Sequence, residues 1–138
     1  MTGQLNLFKG RRQRGTQPPP PLEFVSHCFV ADLLKRWCSE QWRWTHLPLG
    51  ELRDKITAAR LKRMGVNPGW PDFLFVGPNG VFWLELKRRG SGRLSEEQAQ
   101  MAAHLIACGH GYLCTSSVDD AVTQLKDLGI LPSRIEVQ

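Results

Sequence analysis

Three side chains of this sequence have the types and spacing for acid-base or metal chemistry: Asp72, Glu85 and Lys87. Two carboxylates offer hard oxygen ligands of the kind that suit Mg²⁺, which keeps several of its waters and also binds phosphate oxygens. A neighbouring ammonium would hold or activate an attacking water and offset the charge of a phosphate. Aromatic and aliphatic residues crowd around them, namely Phe73, Phe75, Phe82, Trp83 and Leu84. Charges placed in such surroundings are partly desolvated, and stay so only when paired or bound to a cation. The plainer alternative is a salt bridge on a solvated hairpin face, where most charged strand residues lie.

The elements that must position these groups can be read from the stretch between Gly69 and Lys87. Phe73 to Val76 and Val81 to Leu86 are short aromatic and β-branched runs on either side of Gly77-Pro78-Asn79-Gly80, which predicts a β-hairpin. Side chains alternate along a strand, so Glu85 and Lys87 share a face, about 6.6 Å apart along the strand, while Leu84 and Leu86 take the other. Asp72 stands at the mouth of the partner strand, where cross-strand pairing brings it beside Glu85.

A series of motifs surrounds this hairpin. Lys62-Arg63-Met64-Gly65-Val66 and Pro68-Gly69-Trp70-Pro71-Asp72 precede the Glu85-Leu86-Lys87 triplet, and Gly92-Arg93-Leu94-Ser95-Glu96-Glu97-Gln98 follows it. Pro71-Asp72 and Glu85-Leu86-Lys87 at this separation resemble the signature of PD-(D/E)XK nucleases. The whole series resembles the VRR-NUC branch of that superfamily in its small stand-alone, phage-like form, over roughly residues 22 to 131. The resemblance implies an α/β, restriction-endonuclease-like core, a mixed four-stranded sheet flanked by helices. It also implies a Mg²⁺- or Mn²⁺-dependent endonuclease acting on DNA, with a metal held by Asp72, Glu85 and the Leu86 carbonyl and completed by Glu23. Lys87 would orient the nucleophile, with Gln98 nearby. Stand-alone members resemble Holliday-junction resolvases, so branched DNA and a homodimer are the implied partners. Leu49 departs from the asparagine common in the family after the preceding proline, which puts in doubt any contact from that loop.

Several of these residues also have plain structural readings. Glu23 in a first helical turn complements the helix dipole, and His27, one turn later, is either near the site or a satisfied helix histidine. Ser95 and Gln98 have the spacing of a capping box, which does not exclude an active-site role for Gln98.

The formal charge is +5, of which residues 1–21 supply +4 through Lys9, Arg11, Arg12 and Arg14, so the remainder carries only +1. That segment, with four prolines, reads as an extended or disordered basic arm, either a phosphate binder or a solvated leader, ahead of a nuclease-like domain at 22–138. Inside the domain, basic residues gather at Arg53, Lys62 and Arg63 and again at Arg88, Arg89 and Arg93, candidates for gripping a phosphate backbone. No base-reading module is evident, which favours structure-selective cutting over sequence-specific restriction. A non-catalytic DNA-binding module and an accessory subunit of a larger phage or repair complex are the rival readings.

A length of 138 residues with 41% hydrophobic and 22% charged content suits one globular domain. No apolar run approaches the roughly 20 residues a membrane span needs, and the first residues lack an apolar signal segment. The expectation is a protein of the cytoplasm of a bacterial or phage-infected cell. Cys28, Cys38, Cys108 and Cys114 form no metal-binding spacing and read as buried free thiols. Helices are expected over Leu22–Glu40, Asp54–Met64, Ser95–Cys108 and Val118–Leu128, and further strands over Gln41–Leu47 and Gly111–Thr115. The first helix is expected to present Phe24, Cys28, Ala31 and Leu34 or Lys35 on one face, widened by Phe29, Val30, Leu33 and Trp37. The second is read as apolar at Ile56, Ala59 and Leu61. Trp42, Trp44, Phe82 and Trp83 are read as core, with a dimer interface as the alternative.

Overall fold

The alternating apolar runs of the central hairpin fold as their period requires. In a computed structural model, which describes residues 22–49, 54–88 and 92–135, Phe73–Gly77 (β2) and Gly80–Leu86 (β3) pair antiparallel, Phe73 opposite Leu84 and Phe75 opposite Phe82. Gly77 pairs with Gly80, so the loop is only Pro78-Asn79. Gly80 has φ of 122°, a conformation that L side chains rarely adopt.

Around the hairpin the order is Leu22–Trp37 (α1), Arg43–His46 (β1), Lys55–Arg63 (α2), β2, β3, Glu96–Ala107 (α3), Gly111–Thr115 (β4) and Val118–Asp127 (α4). The strands form one mixed sheet in the order β1-β2-β3-β4, with β4 parallel to β3 and the other pairs antiparallel. Each face has its own apolar layer. Phe73, Phe75, Phe82, Leu84 and Leu86 join Val30 and Leu34 of α1 and Ala121, Val122 and Leu125 of α4 in the main core. Trp83 and Glu85, alternating with those residues, take the opposite face, where α3 buries Ala102 and Leu105. Trp42, Phe82 and Trp83 are buried and Trp44 half-buried, so these rings are core. Trp42 lies so close under Gly77 that a Cβ there would come within 2.3 Å of the indole.

Five expectations need correction. Helix α1 stops at Trp37 rather than Glu40, where the Ser39 N–H leaves to donate to the Ile130 carbonyl. Its buried stripe is Val30 and Leu34, whereas Phe24, Val25 and Phe29 are 50%, 50% and 37% exposed. The helix's first turns lie at the rim of the sheet, beside Asp72, and only its later turns reach the core. Helix α2 buries no residue, and Ile56 is 68% exposed: its apolar positions are too few to make a packing stripe. It is held locally by Asp54, which caps it by accepting from the Thr57 N–H at 2.8 Å. The thiols are free but not buried. Cys28 and Cys108 are exposed and Cys38 and Cys114 half-buried. Strand β1 is shorter than expected, although the Leu47 N–H still donates to the Asp72 carbonyl and ties the strand's end to the site. Among the described residues no helix is long and apolar enough to cross a membrane.

Candidate active site

The β2–β3 register places Asp72 against Glu85, and their contacts are reciprocal. The Asp72 N–H donates to Glu85 Oε2 at 3.1 Å, and Asp72 Oδ2 accepts from the Leu86 N–H at 2.8 Å. Glu85 is 2% exposed. Its other oxygen receives Lys87 Nζ at 3.1 Å and Gln98 Nε2 at 3.2 Å. Burial, reinforced by the charge of Asp72 and only partly offset by Lys87, pushes the Glu85 carboxyl up to about 7.

Gln98 connects this network to α3. Its N–H donates to Ser95 Oγ while its Oε1 accepts from the Ser95 N–H, which completes the capping box. The same Oε1 accepts from Lys87 Nζ at 2.9 Å. One side chain therefore completes the cap and also joins Lys87 to Glu85. The Lys87 N–H is anchored in turn on the Thr115 carbonyl of β4.

On the other side of Asp72 lies α1. Glu23, His27 and Asp72 each present a ligand atom, all within 4.8 Å of one another. His27 Nε2 is 3.2 Å from Asp72 Oδ2 and 4.0 Å from Glu23 Oε1. The 3.2 Å contact is close enough for an ion pair, although Nε2 makes no hydrogen bond of regular geometry. Burial disfavours the imidazolium, yet the Asp72 carboxylate, the Glu23 charge and the Leu86 backbone together outweigh it and raise the ring's pKa. A cluster of carboxylate oxygens with an orphaned ring nitrogen fits a divalent cation, which would satisfy all three at once.

The structure thus divides the expected ligand set. It gathers Glu23 with Asp72 and adds His27, a residue the sequence reading left open. The Glu23–His27 spacing of one helical turn carried the signal. Glu85 adjoins this trio through Asp72, but its oxygens are turned to Lys87, Gln98 and the Asp72 N–H. Leu86 contributes the N–H that pins Asp72. A cleft of about 510 Å³ opens beside the cluster, lined by Glu23, Ser26, Lys87, Arg88, Ser117 and Asp119 among others. Lys62 and Arg63 are exposed on α2, Arg88 lies in the cleft and Arg93 is exposed. Arg53, Arg89 and the basic arm at 1–21 lie outside the described residues.

No protein-family profile matches the sequence, and no curated protein does. Among solved structures, a protein described as a VRR_NUC domain protein superposes with a TM-score of 0.61 at 20% identity, over 80% of this chain and 89% of that one. This chain has the VRR-NUC fold. The mixed four-stranded sheet with flanking helices is accordingly the restriction-endonuclease-like arrangement. In this VRR-NUC fold the candidate site straddles the sheet rim, with Asp72 between a network on the α3 face and a ligand cluster on α1.

Proposed function

We infer that residues 22–138 form a divalent-metal-dependent endonuclease domain that hydrolyses DNA phosphodiester bonds, with a preference for branched DNA. The observation that carries this reading is the joining, through Asp72, of an ammonium–carboxylate network to a three-ligand cluster. Glu23, Asp72 and His27, with Glu85 and the Leu86 carbonyl alongside, would hold a Mg²⁺ or Mn²⁺ ion, which would supply Lewis-acid stabilisation of phosphoryl charge and favour ionisation of water.

The chain's own residues do the rest. Lys87 holds the attacking water in line and offsets charge that accumulates on the phosphoryl oxygens. Gln98 and Glu85 fix its ammonium from two sides, which keeps its three donors directed rather than freely rotating. The Leu86 N–H restricts Asp72 to one rotamer. Arg88 and Arg93, with Lys62 and Arg63 on the exposed α2, supply phosphate contacts that position DNA without reading its sequence. Arg53, Arg89 and the basic arm add to the same field. Pairing of two copies would allow symmetric cuts in a four-way junction; light scattering measures that mass.

The test is incubation of the purified protein with branched and linear duplex DNA in Mg²⁺, Mn²⁺ or EDTA. Metal-dependent cuts, faster on branched DNA and lost in Lys87→Ala, are the expected result. Tight binding without cuts under either metal would instead mark a non-catalytic DNA-binding module or an accessory subunit.

A further inference from the structure

A second pocket, of about 390 Å³, lies between α1 and strands β1 and β2. Its walls are the rings of Phe24, His27, Trp44, His46 and Phe73. The size suits one small planar ligand. The rings form a connected set: His27 and His46 meet edge-on at 5.1 Å between centroids, and Phe73 lies 5.7 Å from His27 and 5.0 Å from His46.

Three observations point to what enters. Phe24 is 50% exposed over the pocket, a large apolar ring that no other described part of the chain covers. His46 Nδ1, in a ring of this wall, is a buried side-chain polar atom without a hydrogen-bond partner among the described residues. Lys35, exposed, also lines the pocket and adds a positive charge. An aromatic slot with an unpartnered ring nitrogen in its wall and a cation at its edge matches a flat heteroaromatic group attached to an anionic backbone.

We propose that this pocket receives one unpaired nucleobase of the DNA strand, next to the phosphate held at Asp72. The inference rests on the nuclease reading and sharpens it. His27 is the shared wall: its Nε2 faces Asp72 at 3.2 Å while its ring lines the pocket, so a phosphate at one side and a base at the other can belong to adjoining nucleotides. Stacking on aromatic rings accepts any base, since each has a π-face. A paired base must first be unstacked and unpaired, whereas a base at a junction or fork is already free. The pocket therefore turns stacking into a preference for DNA structure without reading sequence.

The test uses the full chain in EDTA, so that binding is read without cleavage. Forked duplexes carry 2-aminopurine at an unpaired position flanking the branch, the same base paired, or an abasic residue at that position. Wild-type protein should quench the unpaired 2-aminopurine and bind the abasic fork about tenfold more weakly, the scale of one lost base–aromatic contact. Cys28→Trp, which fills the pocket from an exposed position, and Phe24→Ala should both remove the quenching and the tenfold preference. Their circular dichroism should match wild type, because neither side chain is in the core. Quenching and preference that survive both substitutions overturn the proposal. So does loss of a dimer in Cys28→Trp with the base signal intact, which would assign the pocket to a second copy of the chain. A wild-type protein that cuts DNA with Mg²⁺ but ignores the abasic change sinks the pocket alone. One that captures the base and never cuts sinks the nuclease reading alone.

Discussion

The two halves of the candidate site are built on different principles. On the α3 face, Glu85, Lys87 and Gln98 satisfy one another through a closed set of hydrogen bonds, and Glu85 is buried within it. On the α1 face, Glu23, His27 and Asp72 approach within 4.8 Å but leave His27 Nε2 without a partner, and the Glu23 side chain is 45% exposed. The closed half is pre-organised: its groups are already held where charge will develop, so little rearrangement accompanies reaction. The open half is looser: Glu23 is partly exposed, and His27 meets Asp72 and Glu23 without a closed set of hydrogen bonds. Asp72 belongs to both, and the difference shows where metal affinity and where catalytic geometry should reside.

Substitutions can break that division of labour, and the largest effect should come from the closed half. Lys87→Ala should lower the cleavage rate about 10³-fold, within the span usual for a positioned proton-handling group, while divalent-metal affinity stays within a few-fold of wild type. Rates on a branched substrate and calorimetric titration with Mn²⁺ measure the two. In the open half the pattern should invert: His27→Ala should weaken Mn²⁺ binding by about 10-fold to 100-fold in the same titration.

The pH dependence sharpens the contrast further. In the metal-free protein the Glu85 carboxyl stays protonated up to about 7, whereas in the unfolded chain it ionises near its ordinary 4.5. The folded state therefore binds the extra proton in that interval, and stability falls as pH rises from 4.5 to 7, by roughly 3 kcal/mol, then levels off. Denaturant melts in EDTA across this window should show the decline, and Glu85→Gln should flatten it. The smallest effect is expected at the edge of the closed half. Ser95→Ala removes the cap of α3 at a cost of about 1 kcal/mol, read from the urea midpoint. Gln98 remains held by Lys87 and Glu85, so metal affinity should not change.

The same division explains what could be read from the sequence. The closed half is local: the hairpin spacing fixes Asp72 against Glu85, strand alternation puts Lys87 beside Glu85, and Ser95-x-x-Gln98 announces its own capping box. The order of elements followed from such short-range signals, and Gly111–Thr115 formed as bounded. The open half depends on how α1 lies across the sheet, which periodicity does not fix. Phe24 and Cys28 looked like part of the helix's buried face because their spacing is right for one. The helix instead buries Val30 and Leu34 and carries its first turns to the rim, where His27 meets Asp72. Helix α2 failed for the converse reason: among the described residues Ile56 and Ala59 stay exposed and Leu61 is only half-buried.

The most direct test of the open half as the metal centre is anomalous scattering from crystals soaked in Mn²⁺. An ion coordinated by Asp72 together with Glu23 or His27, and absent from Asp72→Asn crystals, is the predicted result. Full occupancy by Mn²⁺ at some other cluster, with Asp72 and His27 left uncoordinated, would contradict it.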